Sequence, residues 1–258
     1  MRVFLTLIIV TMSLAWSAAL AQNRPSAFVP PPTSPWRVHL IAGADFNAVG
    51  NVLSSANGAI LGQPTKISSV SWADAFDTPL TLGIEGGYMD SKTSEIFGRF
   101  SYTSAEGKQL QAGEISGGVP LLVRFDKYED FALEGGYRWY FPSSSPFRLL
   151  TPWIAPFAGI KYVSAMKADF VAPLLPLSAL NQDVYKSGIV PSFGIDIGLM
   201  YPTTSSFAIG VQTGIHYQLG QGAAKGFLQD GSNTGLDGAA SQDGRLTVPF
   251  TFRAALKL

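Results

Sequence analysis

The chain has 258 residues, of which 47% are hydrophobic and only 14% are charged, with 18 Lys+Arg against 18 Asp+Glu and no cysteine. The absence of cysteine excludes disulfides and a thiol-linked lipid anchor, so burial and backbone hydrogen bonds must supply the stability. The balanced charge leaves no basic field for phosphates and argues against nucleic acid as a partner. Soluble domains have about a quarter of their residues charged, so this low charge is typical of a membrane protein.

The first 21 residues have the order of a secretory signal peptide: Arg2, then a long apolar run, then Ala19-Leu20-Ala21. Cleavage is expected between Ala21 and Gln22, which leaves 17 Lys+Arg against 18 Asp+Glu. A membrane helix is disfavoured because four Ser and Thr residues interrupt the run, and no later segment has the roughly 18 apolar residues that a spanning helix needs. Residues 22–35 contain five prolines and no periodicity, and are predicted to form an extended N-terminal extension.

From residue 36 onward the sequence alternates apolar and polar positions, as β-strands do. Eight segments of roughly ten residues show this pattern, and strands of about 9–11 tilted residues cross a bilayer. Since only helices and closed barrels satisfy every backbone group in lipid, we predict an all-β protein, an eight-stranded antiparallel transmembrane β-barrel over 36–258. The alternative is a soluble exported barrel with its apolar face inward, which would carry more surface charge. The segments are 36–47, 80–89, 95–103, 131–141, 154–162, 192–201, 207–219 and 245–258.

The predicted connections alternate between long and short along the chain. Outer-membrane barrels have short periplasmic turns and longer extracellular loops, so both termini are expected on the periplasmic side. Outward-facing aromatic residues gather near the strand ends, as at Phe131 and Trp139, which predicts two interfacial girdles. The connections are 48–79, 90–94, 104–130, 142–150, 163–190, 202–206 and 220–244.

Three stretches carry a family resemblance: LEGGYRWYF at 133–141, Pro-x-x-x-Pro-Phe-Ala-Gly at 152–159, and the final strand. From Trp36 to Leu258 the chain resembles the small eight-stranded outer-membrane barrels of Gram-negative bacteria, the OmpA/OmpX type. The resemblance implies the outer membrane as location, lipid and lipopolysaccharide as surroundings, and recognition of residues 246–258 by the barrel-assembly machinery. Members adhere, anchor, form narrow pores or modify lipids, so the family leaves the activity and the extracellular partner open. Members commonly end in Phe, whereas this chain ends in Leu258.

An internal repeat draws attention to the barrel interior. Ile84-Glu85-Gly86-Gly87-Tyr88 and Leu133-Glu134-Gly135-Gly136-Tyr137 are spaced by 49 residues, and each acid is on the inward parity. We predict three partnerships across the short turns: Glu85 with Arg99, Glu134 with Lys161, and Asp196 with Gln212. The interior is then a charge-paired structural plug, because eight strands leave room only for side chains; an ion pathway or narrow pore is the alternative. The predicted network comprises Glu85, Arg99, Glu134, Arg138, Lys161 and Asp196.

Catalytic and metal-binding signals are weak. His39 and His216 are the only histidines, without a His-Ser or paired-acid spacing, so no catalytic residue and no cofactor is predicted. Residues 170–180 are apolar and expected to pack on the rim; folding over the barrel mouth and presenting an apolar surface to a partner are the alternatives. Residues 229–244 lack the final glutamate of a calcium loop and are expected to be a mobile polar loop. The function predicted is a surface-exposed structural or interaction role; a narrow pore is the alternative and a lipid-modifying enzyme a distant one.

The final strand is expected to close the barrel against the first. Its apolar positions, such as Phe250 and Phe252, would face lipid, while Arg245 and Arg253 face inward. Because Pro249 has no N–H for the ladder, we predict a local bulge there in the seam with 36–46.

Overall fold

A computed structural model describes residues 34–60, 62–141, 150–172, 180–224, 236–240 and 243–258. The signal peptide and almost all of the Pro-rich extension lie outside the described residues, as do most of 229–244 and the centre of 170–180. A short helix, α1, covers Trp72–Ala75, and a 3₁₀ helix covers Asp237–Ala239. Among the described residues, no helix is long and apolar enough to cross a membrane. The strands are β1 (Trp36–Val49), β2 (Asn51–Leu53), β3 (Ala56–Ile60), β4 (Gln63–Ile67), β5 (Val70–Ser71), β6 (Leu80–Met89), β7 (Ser94–Ala105), β8 (Gln109–Ile115), β9 (Val119–Phe125), β10 (Tyr128–Tyr140), β11 (Thr151–Val163), β12 (Met166–Val171), β13 (Leu180–Tyr185), β14 (Gly188–Pro202), β15 (Phe207–Gln218) and β16 (Arg245–Lys257).

Eight of these strands close into an antiparallel barrel in the order β1-β16-β15-β14-β11-β10-β7-β6. They coincide with the eight segments predicted from alternation, with bounds that differ by a few residues. The predicted fold, an all-β chain with a closed eight-stranded barrel, is confirmed. We call these strands the barrel section. Its terminal end carries the short connections, Trp36 and Leu258.

The apolar face of the barrel section points outward. Leu40, Leu133 and Phe252 are each 60% exposed or more, whereas the inward-facing His39 and Glu85 are 1% exposed or less. Apolar side chains that line the outside of a closed barrel form a surface suited to lipid. The soluble alternative, with its apolar face inward, is therefore wrong.

The long connections are folded rather than loop-like. They form a six-stranded sheet in the order β13-β12-β9-β8-β4-β3, and β2 pairs with β5. Together with α1 and the 3₁₀ helix, these strands form what we call the cap. Strand β8 turns into β9 through the three residues Ser116, Gly117 and Gly118, and the two glycines have φ values of 83° and 79°, in the left-handed region that glycine adopts easily. The cap was not predicted from the sequence, where these residues were assigned to long connections.

One side of the cap sheet is buried in a large apolar core. The core continues onto inward-facing residues at the neighbouring ends of the barrel strands, among them Ala105, Val163 and Val190. The other side of the sheet carries exposed polar side chains such as Glu114 and Arg124. Phe170 and Ala172, from the segment predicted to pack on the rim, are buried in this core.

The closing seam is continuous through Pro249. Pairing between β1 and β16 runs from Arg37↔Lys257 to Asn47↔Thr247 and includes Asp45↔Pro249, and its register shifts only beyond Asn47. The predicted bulge at Pro249 in this seam is wrong. In an antiparallel ladder the N–H and C=O of one residue point to the same neighbouring strand. The ladder is interrupted at Pro249 on the side of β15, where the pairs pass from Thr213↔Phe250 directly to His216↔Thr247.

Candidate functional site: the barrel interior

Inward-facing glycines make room for the large side chains that fill the barrel. In both copies of the repeated motif the second glycine faces inward. A Cβ on Gly87 would lie 1.8 Å from Oε1 of Glu95, and a Cβ on Gly136 would lie 2.6 Å from Cζ of Phe97. The motif therefore places a carboxylate and a gap two residues apart on the same inward face.

A first group of charged residues lies toward the terminal end. Arg138 bridges two carboxylates, with Nη2 at 2.7 Å from Oε1 of Glu85 and Nη1 at 2.6 Å from Oε2 of Glu95. Arg253 donates to the same Glu85 oxygen. The imidazole Nε2 of His39 lies 3.3 Å from Oε1 of Glu95. All five side chains are buried, and buried charges need such partners.

A second group spans the middle of the barrel. Arg99 Nη2 lies 2.7 Å from Oε2 of Glu134, and its Nη1 lies 2.9 Å from Oδ2 of Asp196, so one guanidinium joins strands β7, β10 and β14. The Ser192 hydroxyl donates to the second oxygen of Glu134 at 3.0 Å. His216 Nε2 lies 2.6 Å from Oδ1 of Asp196.

A third group adjoins the cap. The Tyr128 hydroxyl donates to Asp130 at 2.7 Å and lies 3.3 Å from Oε1 of Gln218. Nζ of Lys161 and Nη1 of Arg245 are each 3.9 Å from the same Asp130 oxygen. Lys161 thus belongs to a different group from Glu134, the partner predicted from sequence.

The individual pairings differ from those predicted. Glu85 and Arg99 are directly opposite in register, yet each makes its ion pairs elsewhere. Arg99 pairs with Glu134, its register partner on the other neighbouring strand, β10, and also reaches Asp196 on β14, which is not a neighbour of β7. Glu134 is opposite Gly159 rather than Lys161. The centre of the turn between β10 and β11 was placed one residue too far along the chain, and this shifts the expected partner by two positions.

The third predicted partnership fails for the same reason. Asp196 is opposite Gly214 and Gln212 is opposite Gly198. Gln212 accepts a hydrogen bond from Arg253 instead.

Aromatic rings separate and support the arginines. The Arg138 guanidinium carbon lies 4.6 Å from the ring centroids of both Phe97 and Trp153, and that of Arg99 lies 4.6 Å from Phe157. Cation–π contacts of this kind strengthen when they are desolvated. Inward parity would have found these rings, but aromatic residues were assigned to the outer girdles. The interior residues that the sequence analysis left out of the network are His39, Glu95, Phe97, Tyr128, Asp130, Tyr140, Trp153, Phe157, Ser192, His216, Gln218, Arg245 and Arg253.

Apolar packing lies on both sides of the charged groups. At the terminal end, Met89, Tyr140, Trp153 and Met200 belong to one buried cluster. At the cap end, the Arg245 guanidinium carbon lies 4.5 Å from the Tyr128 ring centroid and 5.3 Å from that of Trp72. Arg245 therefore connects the charged interior to the apolar core of the cap.

The described residues contain no group of three or more His, Asp and Glu side chains arranged to hold a metal ion. His39 and His216 both contact carboxylates inside the barrel. The geometry assigns these histidines to the interior network.

Comparisons with known proteins give no family for this chain. No protein-family model and no curated protein matches the sequence. Among solved structures, the chain is similar to Neisserial surface protein A (12% identity, 87% of this chain and 98% of that chain covered, TM-score 0.41). It is also similar to a major outer-membrane protein of Thermus thermophilus (10% identity, 86% and 99% covered, TM-score 0.47) and to OprG of Pseudomonas aeruginosa (9% identity, 87% and 97% covered, TM-score 0.43).

The construction of the barrel itself identifies its surroundings. A closed antiparallel barrel with an outward apolar belt and a charged interior satisfies every backbone group while facing lipid. Barrels of this type reside in the bacterial outer membrane. The chain is thus an outer-membrane β-barrel protein.

Proposed function

We propose that the protein is a surface-exposed structural or interaction protein whose barrel is a closed anchor and whose cap is the working surface outside the cell. Strands β1 and β16 form the closing seam, and residues 246–258 are the segment that the barrel-assembly machinery recognises. The surroundings are outer-membrane lipid and lipopolysaccharide, and the termini face the periplasm.

One observation carries the closed-anchor proposal. Buried ion pairs fill the interior at three levels, centred on Arg138, Arg99 and Asp130, and at each level one pair joins strands that are not neighbours in the barrel. A solute crossing the barrel would have to separate these buried pairs, each of which leaves an uncompensated charge when broken. It would then meet the apolar core of the cap.

The first experiment is a single-channel recording of the refolded protein in planar bilayers. We expect little steady conductance from the wild type, with insertion confirmed by its heat-modifiable band. The matched control is Lys167→Ala, which removes an exposed cap charge and should behave as wild type. A large, stable wild-type conductance would favour the narrow pore and overturn the closed anchor.

The second experiment tests which end is outside. Because the chain has no cysteine, Ser116→Cys in the cap and Lys92→Cys in a short turn each provide a single label site. On intact cells, a membrane-impermeant maleimide should label Ser116→Cys and should reach Lys92→Cys only after the outer membrane is permeabilised. The reverse labelling pattern would place the cap in the periplasm.

A further inference from the structure

Two inward-facing cations at the terminal end of the barrel have no anionic partner among the residues that the structure describes. Arg37 on β1 and Lys257 on β16 are opposite each other in the closing seam, on the inward parity of both strands. Within the described part of the chain, every other inward-facing Arg or Lys of the barrel section lies within 3.9 Å of a carboxylate oxygen. Arg37 and Lys257 take part in no such pair with a described residue.

Arg37 is also incompletely hydrogen-bonded. Its Nε is buried and has no acceptor among the described residues, although the residue as a whole is partly exposed. Its guanidinium carbon lies 5.3 Å from the ring centroid of Tyr140, which supports the guanidinium from one side. A donor taken out of water without an acceptor is unfavourable, so an acceptor brought by a ligand would improve this site.

The two charges are placed to meet on one ligand. Side chains that are directly opposite on one face of an antiparallel pair have Cβ atoms about 4.5–5.5 Å apart, and like charges in that arrangement repel. Glu95, an inward carboxylate at this end, already accepts from Arg138 and Tyr140. Arg37 and Lys257 therefore place two like charges side by side at the terminal mouth.

We propose that Arg37 and Lys257 form a binding site for an oxyanion, a carboxylate or phosphate group that enters from the terminal mouth of the barrel. The planar donors of Arg37 match the spacing of carboxylate and phosphate oxygens, and Lys257 adds a compact positive charge. With the termini in the periplasm, the natural ligand is an acidic periplasmic molecule. The site does not depend on whether the barrel conducts.

The test measures anion binding to the refolded, full-length mature protein in a zwitterionic detergent. Inorganic phosphate and acetate are titrated separately against chloride at equal ionic strength, with thermal unfolding and ³¹P line broadening as readouts. We expect one or both oxyanions to protect the wild type beyond chloride. Arg37→Gln and Lys257→Gln should each weaken binding about tenfold or more, since each removes a charged hydrogen-bond donor.

A matched control and a second readout distinguish an anion-binding role of Arg37 and Lys257 from a purely structural role. Lys186→Gln, an exposed lysine at the cap end, should bind as wild type does. Without added oxyanion, Lys257→Gln should be at least as stable as wild type, because it relieves the repulsion. Phosphate protection with no acetate effect would assign a phosphate-bearing ligand, and the converse a carboxylate. Equal protection of wild type and the Arg37→Gln/Lys257→Gln double variant, or no protection beyond chloride, would overturn the proposal.

Discussion

The barrel section and the cap are built from the same kind of strand with opposite faces turned inward. In the barrel, Leu133 is 61% exposed on the outside while Glu134 is 5% exposed inside. In the cap, Leu121 is 1% exposed in the core while Arg124 is exposed outside. Lipid surrounds the first section and water the second, so the same alternation is read in opposite senses. The surrounding solvent, more than the strand pattern, decides which face becomes the interior.

The largest expected effect comes from breaking the seam on which the barrel section depends. Deleting Leu256–Leu258 removes the Val38↔Leu256 and Arg37↔Lys257 pairs and the 3.2 Å hydrogen bond from Leu258 N to Trp36 O. A barrel with an open edge leaves backbone groups unpaired in lipid. We expect the folded, heat-modifiable band to disappear, whereas Leu258→Phe should assemble at least as well as wild type. Unchanged insertion and protease resistance of the deleted chain would disprove the closing role.

Arg99→Ala tests the charged interior of the barrel section. It leaves Glu134 and Asp196 without the guanidinium that joins them, and breaking a buried pair typically costs about 3–5 kcal/mol. Urea unfolding in lipid vesicles should show a loss of this size. Lys167→Ala, which removes an exposed cap pair, should change the unfolding free energy by about 1 kcal/mol or less. Similar losses for the two variants would mean that the interior is wet and screened.

One substitution made in both sections compares their apolar faces directly. Leu121→Ala opens a cavity in the packed core of the cap and should cost about 2–5 kcal/mol. Leu133→Ala should cost less, about 0.8 kcal/mol for each CH₂ removed from lipid, because mobile lipid chains fill the space. Unfolding free energies in vesicles measure both. A larger cost at Leu133 than at Leu121 would contradict the assignment of lipid and packed core.

The smallest effect is expected in the short turn after β6, which belongs to neither section. Hydrogen bonds from the Ser94 and Tyr137 hydroxyls hold the pKa of Asp90 below its ordinary range. A lowered folded-state pKa stabilises the protein above the unfolded-state pKa, and this contribution is lost as pH falls through the folded-state value. Asp90→Asn should therefore be slightly less stable than wild type at neutral pH and equal to it in strong acid. A difference that grows on acidification would have the wrong sign.

The sequence was sufficient for the barrel section and insufficient for the cap. Outward positions such as Leu133 and Phe252 repeat over strands long enough to cross a bilayer, so local alternation identifies them. The cap strands are short, and QLQAGEISGGVPLLVRF at 109–125 alternates only in part. Its Gly117-Gly118 pair between two apolar-containing runs was the available hairpin signal.

The interior network was predictable in its composition but not in its partners. Glu85, Arg99, Glu134, Arg138, Lys161 and Asp196 all face inward and are buried, which follows from parity alone. Their contacts depend on how far each strand is displaced along its neighbour and on which side chains cross the axis. A sequence indicates the displacement of neighbouring strands only through the lengths of the turns. It does not indicate which side chains cross the axis.

The hairpin at Gly117 and Gly118 has a consequence for protein engineering. Ser116, Gly117 and Gly118 are exposed at the end of the cap sheet, and an ideal Cβ at either glycine meets no neighbouring atom. Exposed tips of small residues are the places where chains accept inserted peptides. The cap thus offers a display position, at which a foreign epitope would be carried on a rigid stalk of paired strands.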